Sequence, residues 1–370
     1  AVSAVGVIDK VSRWDFTVAD YTGPTTFYKG KTTNAPTMAL PIGTNNSSAA
    51  VHKVIEQPPA NEAISSAMGQ ERYYNKAEIL ILVSNATVTV SVKSPYSATS
   101  NNIAVAGWTN FMSTNLTFWD QREAKYQQVT EIDVAKFNTW ATNTTNTTIS
   151  GTLGSGVAPS LIYVADNRTR SGYGQAVRVV NGQTLPARGL TVASPNGLYV
   201  KGNYNCPNAA LGTTNTTNTK PASFVADAVT ILSPAWTDAN SAVVYTSRDA
   251  TNTTVNAAII SGNVKSQGAD GDAPMSGGAH NLPRLLEDWG TRTLTINGSL
   301  CCLFESTRAT GIFIHPTYTG QYYVPPTRNW SFDNNFLDPN KLPPGTPAVR
   351  ILERLKWSNP PPNTTTYAGN

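Results

Sequence analysis

The chain has 370 residues, a formal net charge of +4, and only 14% charged residues, where an ordinary soluble domain carries about a quarter. Asn, Thr, Ser and Gly take the place of the missing charge, so solubility rests on amides and hydroxyls. The small charge, with no basic cluster beyond a few residues, excludes nucleic acid as a partner. No apolar run reaches the roughly 18 residues of a spanning helix, so no membrane span is expected in the mature chain.

Residues 1–60 alternate short β-prone pieces, Val2 to Val11 and Trp14 to Val18, with turn-rich spacers such as Tyr21-Thr22-Gly23-Pro24. Too few apolar residues are present for a separate core, so this stretch reads as an extended N-terminal arm that wraps the body or reaches a neighbour. Ala1 to Asp9 has the look of a terminus left after processing. Residues 61–155 read as a β-rich subdomain with short helices. A weak helical pattern runs from Pro59 to Tyr74, and Glu78–Val83 with Ala86–Val92 predicts a buried strand, a turn and an alternating strand. A helix is expected over Glu131–Trp140 with Thr130 as cap, and Asn143–Ser155 as a polar loop.

Residues 156–357 form the expected body, followed by a polar tail at 358–370. Leu161–Ala165 reads as a strand, and β-branched runs recur about every 30 residues at Leu198–Asn203, Phe224–Leu232, Ala257–Asn263 and Leu294–Leu300. Short strands at such intervals, with polar excursions between them, predict a mainly β fold built as a parallel β-helix-like solenoid; an antiparallel β-sandwich is the alternative. Helices are expected at Leu282–Trp289 and Pro347–Lys356, as flanking caps that block growth at an open edge. Tyr322, Tyr323 and Trp330, beside Pro325 and Pro326, read as anchors that pin an extended segment to the body.

The stretches SGGAHNLPRLLEDW, TLTINGSLCCLFES, PPTRNW and LPPGTPAVRILERL, with GLTVASPNGLYVKGNYN and YNKAEILILVSNATVTV upstream, resemble the C-terminal half of large secreted proteins of planctomycete and verrucomicrobial bacteria labelled PilX-like or type IV pilus-associated. The resemblance spans roughly Tyr74 to Trp357. It implies a surface or pilus-related structural protein and carries no catalytic residue.

No catalytic, cofactor-binding or metal-ligating set emerges. His52, His280 and His315 lack pairing at helical spacing, and Asp270-Gly271-Asp272 lacks the rest of a Ca²⁺ loop. An enzyme would have to use carboxylates such as Asp227, Asp270, Asp272, Glu287 and Asp288 meeting across a cleft. Cys206, Cys301 and Cys302 make an odd count; Cys206 with Cys302 or Cys301 is the candidate disulfide, and buried thiols are the alternative. Sequons occur at Asn45 and at the candidate glycan acceptors Asn46, Asn85, Asn115, Asn143, Asn146, Asn167, Asn215, Asn252, Asn297, Asn329 and Asn363.

These features together predict an extracellular, non-enzymatic structural protein, a self-assembling subunit of a filament, pilus or surface layer that polymerises through the N-terminal arm. The alternative is a carbohydrate-binding or polysaccharide-cleaving β-helix protein. Glycans on several exposed sequons would replace charge as the source of solubility. Intact mass spectrometry of protein from its native source is expected to exceed the bare polypeptide mass; equality would refute glycosylation.

Overall fold

The computed structural model describes residues 48–143, 145–264, 282–311 and 322–346. The architecture is mainly β, one large mixed sheet with a few short helices. Its strands are β1 (Ile79–Val83), β2 (Val88–Val92), β3 (Asn101–Asn102), β4 (Met112–Asp120), β5 (Lys125–Asp133), β6 (Leu161–Asp166), β7 (Tyr173–Val180), β8 (Leu190–Lys201), β9 (Ala222–Leu232), β10 (Thr253–Asn263), β11 (Arg284–Leu285), β12 (Thr293–Glu305) and β13 (Thr327–Phe332). The main order is β13-β12-β10-β9-β8-β6-β1-β2-β3. From β1 to β13 every neighbouring pair is parallel, and only the β1-β2-β3 end and the β4–β5 hairpin are antiparallel.

Two long strands divide the sheet into two wings. The first half of β8 pairs with β6 and its second half with β7, and the register to β9 shifts between Ser194 and Gly197. Likewise β9 pairs with β10 through Ser223–Ala226 and with β11 through Thr230–Ile231. Side chains alternate across a strand, and here both faces are apolar: Val192, Phe224, Ile259 and Leu300 face one core, whereas Ala193, Val225, Ile260 and Cys301 face another. The second wing adds Val177, Leu198 and Val229 to the first core and turns Phe118, Tyr199, Trp236 and Leu286 into a third. Both wings thus enclose one common interior. Near-continuous hydrophobic strands are what a parallel sheet buried on both faces requires.

Polar residues inside this sheet are paired with one another. Asn256 of β10, Asn297 of β12 and Ser331 of β13 share one register position. The Asn297 amide donates to Asn256 Oδ1 at 2.7 Å and to the Thr213 carbonyl at 2.8 Å, and Ser331 Oγ donates to Asn297 Oδ1 at 2.6 Å. Asn256 donates in turn to the Asn205 carbonyl at 2.9 Å, and Asn205 returns a bond to the Asn256 carbonyl at 2.8 Å. At the bend of β8, Asn196 takes the place of the broken ladder, accepting from the Asp166 amide at 2.9 Å and donating to the Asp166 carbonyl at 2.9 Å. Outside the strands, Asp249, Asp288 and Val324 form a second parallel row of bridges.

The structure corrects several local expectations. Leu282–Trp289 is not a helix: Arg284 and Leu285 form β11, and Asp288 bridges to Asp249 and Val324. An amphipathic helix needs a wet face, yet Arg284 and Glu287 are as buried here as Leu282, Leu285, Leu286 and Trp289. The strand β5 runs on to Asp133, which caps the helix Val134–Ala141 by accepting from the Lys136 amide, a role assigned above to Thr130. Within the expected loop, Thr147–Leu153 is helical, capped by Asn146 and held by buried Ile149. The helices Ala67–Glu71 and Tyr73–Lys76 occupy the weakly patterned stretch, and β1–β2 is the expected hairpin. Residues 347–356 and 1–47 lie outside the described residues; the last part of the arm, Ser48–Ile55, is helical and packs on its own body with Val51, Val54 and Ile55 buried.

Replacing Asn297 by Ala removes three hydrogen bonds and strands buried partners on β10 and β13. Urea denaturation is expected to show a loss of about 2–3 kcal/mol, against less than about 0.5 kcal/mol for exposed Asn215→Ala.

Candidate functional site

The densest polar constellation lies where β9 bends. Asp227 is fully buried and is bonded on every side. It accepts from His52 Nε2 at 3.0 Å and from the amides of Thr307, Arg308 and Ala309 at 2.7, 3.0 and 2.8 Å. Burial acts to raise its pKa, but the hydrogen bonds from His52 and from the three amides outweigh it, so the carboxyl titrates below its ordinary value. Ser306 Oγ donates to the Asp227 carbonyl at 2.6 Å. Residues 306–311 therefore lie as a strap across the bend. Its far end is held by Glu123, which accepts from the Gly311 amide at 2.9 Å, and by Arg284, which donates to the Ala309 carbonyl at 2.7 Å and to Glu123. The helix Ser48–His52 is tied to the same place, since Ser48 Oγ accepts from the Glu305 amide at 2.7 Å.

A second buried group surrounds Glu287. Its two oxygens accept from the Ser233 amide and hydroxyl, both at 2.6 Å, and burial pushes its pKa up to about 7. Nearby Arg248 donates to the carbonyls of Leu286, Ser241 and Tyr322 at 2.8, 3.1 and 3.1 Å, and burial lowers it to about 10. Tyr199 donates to Asp120 at 2.6 Å. Ser233, just past the end of β9, lies six residues beyond Asp227, roughly 20 Å along an extended chain, too far apart for Asp227 and Glu287 to act as a glycosidase pair, whose carboxyls lie within about 10 Å. Both acids serve to fasten backbone. Asp270, Asp272, His280 and His315 lie outside the described residues, and among the described residues no three of His, Cys, Asp and Glu form a metal-ligating group.

Two clefts adjoin this framework. The larger, about 400 Å³, is lined by Glu71, Lys76, Glu78, Tyr96, Ser160 and Arg188. Its charges are already paired: Lys76 with Glu71 at 2.8 Å, Arg188 with Glu78 at 2.9 Å, and Glu78 again with the Ser160 amide and hydroxyl. The smaller, about 190 Å³, lies under the strap between β5, β7 and β8.

The sequons divide by burial. Asn85, Asn115, Asn143, Asn167, Asn215 and Asn252 are exposed, and Asn146 and Asn329 are half-buried. Asn297 is fully buried with its amide engaged in the ladder, so it offers no acceptor nitrogen to a sugar, which corrects that expectation; Asn46 and Asn363 lie outside the described residues. The expected disulfide is also corrected. Cys206, Cys301 and Cys302 are free thiols. Cys206 sits beside Thr254 and Asn256, whereas Cys301 pairs in register with Ile260, four residues or about 13 Å farther along β10; a disulfide needs Cα atoms within about 7 Å. No helix among the described residues is long and apolar enough to cross a membrane.

The shifted acids have opposite linkage. Asp227, held below its ordinary value, contributes stability above about pH 4 that is lost as pH falls through its folded pKa. Glu287, raised from 4.5 to about 7, contributes stability that is complete below about pH 4.5 and lost as pH rises through about 7, a change on the order of 3 kcal/mol. Thermal melts of the wild type are expected to show a fall in Tm between pH 5 and pH 8, and Glu287→Gln, which keeps an acceptor and a donor toward Ser233, is expected to flatten it.

No family model, no curated protein and no solved structure matches the chain.

Proposed function

We propose that this chain is an extracellular structural protein, a self-assembling subunit of a surface filament, pilus or surface layer, built as a parallel β-solenoid. One observation carries the reading: strands about 30–40 residues apart stack in parallel with equivalent polar positions in register, Asn256 on Asn297 on Ser331, while the return segments form their own parallel row at Asp249, Asp288 and Val324. Two stacked rows per repeat, one on the strand and one on the return path, are what coils of a solenoid produce. The crossovers from β8 to β9 and from β9 to β10 contain only short 3₁₀ turns, where a parallel sheet ordinarily uses α-helices. The bends at Asn196 and Asp227 supply the corners.

The buried ionisable groups act as struts within this frame, consistent with a scaffold. The resemblance to pilus-associated secreted proteins points the same way, and the Asn/Thr-rich surface with exposed sequons suits an extracellular setting. The N-terminal arm is the assembly element in this reading. Its described part begins at Ser48, beside the end of β12, and an extended segment can add to the sheet edge of a neighbouring copy.

Electron microscopy of the full chain tests the proposal. Ordered polymers are expected, with folded monomers after deletion of residues 1–47, which leaves Ser48 and its bond to Glu305 in place. Monodisperse particles of the full chain at high concentration would overturn the assembly role.

A further inference from the structure

The smaller cleft differs from the larger in that two of the side chains lining it, Gln127 and Lys125, make no hydrogen bond or ion pair to the described residues. Its floor is Gln127 of β5, only 3% exposed as a residue, whose side-chain amide makes no hydrogen bond to the described residues and borders the cavity. Its polar atoms are open to that space, so they can meet a group from outside the chain. The neighbouring glycines make the space. A Cβ at Gly174 would meet Gln127 Oε1 at 2.2 Å, so glycine there lets the amide lie flat across β7. At Gly197 a Cβ would stand 3.6 Å from Ala309 and 3.7 Å from the Tyr199 ring, an ordinary contact, so the missing methyl group serves the cavity and not the fold.

The charge lining the cleft is positive. Glu123 is neutralised by Arg284 and the Gly311 amide, Lys125 has no carboxylate partner among the described residues, and Arg308 commits one nitrogen to Glu56 at 3.0 Å. The apolar wall is the Tyr199 ring. A volume of about 190 Å³ lies below the usual range for drug-sized ligands, roughly 300–1,000 Å³, and admits one small ring.

We propose that this cleft binds a single carboxylate-bearing sugar unit of the uronic acid type, free or at the end of a glycan. The carboxylate meets Lys125 and Arg308, the hydroxyls exchange hydrogen bonds with the Gln127 amide, which both donates and accepts, and the ring's apolar face lies on Tyr199. The inference stands apart from the assembly reading, since a scaffold subunit and a monomer would both present this cleft.

Titration of the ¹⁵N-labelled full chain with D-glucuronate, D-glucose and acetate, followed by NMR, tests it. Saturable shifts are expected for glucuronate at millimolar concentration, with glucose and acetate each about tenfold weaker, the size of one lost charge-assisted hydrogen bond or sugar contact. Lys125→Gln, at a partly exposed position, is expected to abolish the preference for glucuronate over glucose, and Gly197→Val to abolish binding of both while the spectrum stays that of a folded chain. Absence of saturable shifts with glucuronate, equal binding of acetate and glucuronate, or undiminished binding by folded Gly197→Val would overturn the assignment. Should Gly197→Val fail to fold, Gly197→Ala carries the same test, with weakened binding expected and unchanged binding overturning the proposal.

Discussion

An ionised carboxylate inside a protein is tolerated only where donors surround it, because uncompensated burial costs several kcal/mol. Asp227 meets that requirement with one imidazole and three consecutive backbone amides, and much of the architecture follows from their positions. The three amides come from the strap after β12, so β12 must end where β9 bends. The imidazole comes from the helix Ser48–His52, so the chain must enter the body at the same corner. Glu123 and Arg284 then hold the other end of the strap to the β4–β5 turn and to β11. Segments separated by more than 170 residues are joined at one anion.

This arrangement explains a feature of the composition. The chain is poor in charge, yet Asp120, Arg122, Asp166, Arg178, Asp227, Arg248, Arg284 and Glu287 are all buried. Arg178 is representative, bridging Glu131 at 2.6 Å and Asp238 at 2.6 and 2.9 Å from within the second wing. These buried charges satisfy loops whose backbone groups have no ladder to join.

How much of this was legible in the sequence depended on the range of the interaction. The hairpin β1–β2 and the spaced runs of β8, β9, β10 and β12 were visible because apolar β-branched residues announce strands locally, and their spacing pointed to parallel neighbours. The segment Leu282–Trp289 misled because Leu282, Leu285, Leu286 and Trp289 fall at helical spacing; only the partners of Arg284 and Glu287, more than 50 residues away in sequence, show that no face is exposed. The Asn ladder was partly written in the text, since Asn297 stands in an otherwise apolar strand, but an Asn-Gly pair reads as a turn and a sequon before it reads as a core position. Asp227 as a clamp, and Gln127 as an amide facing the cleft, had no local signal. Each acquires meaning only from residues brought in by the topology.

The run of parallel strands has two unlike ends. At one, β2 and the two-residue β3 close the sheet with antiparallel pairing and exposed asparagines, a short polar edge of the kind that resists further pairing. At the other, β13 carries the last rung of the ladder, Ser331 bonded inward to Asn297. Were copies to add through this sheet as proposed above, growth would therefore be vectorial, with β13 as the accepting edge, and a fibre made this way would have a head and a tail. Heterologous, head-to-tail contacts of that kind do not close on themselves unless the rotation between copies allows it, so the length of the assembly would be set by supply and not by symmetry.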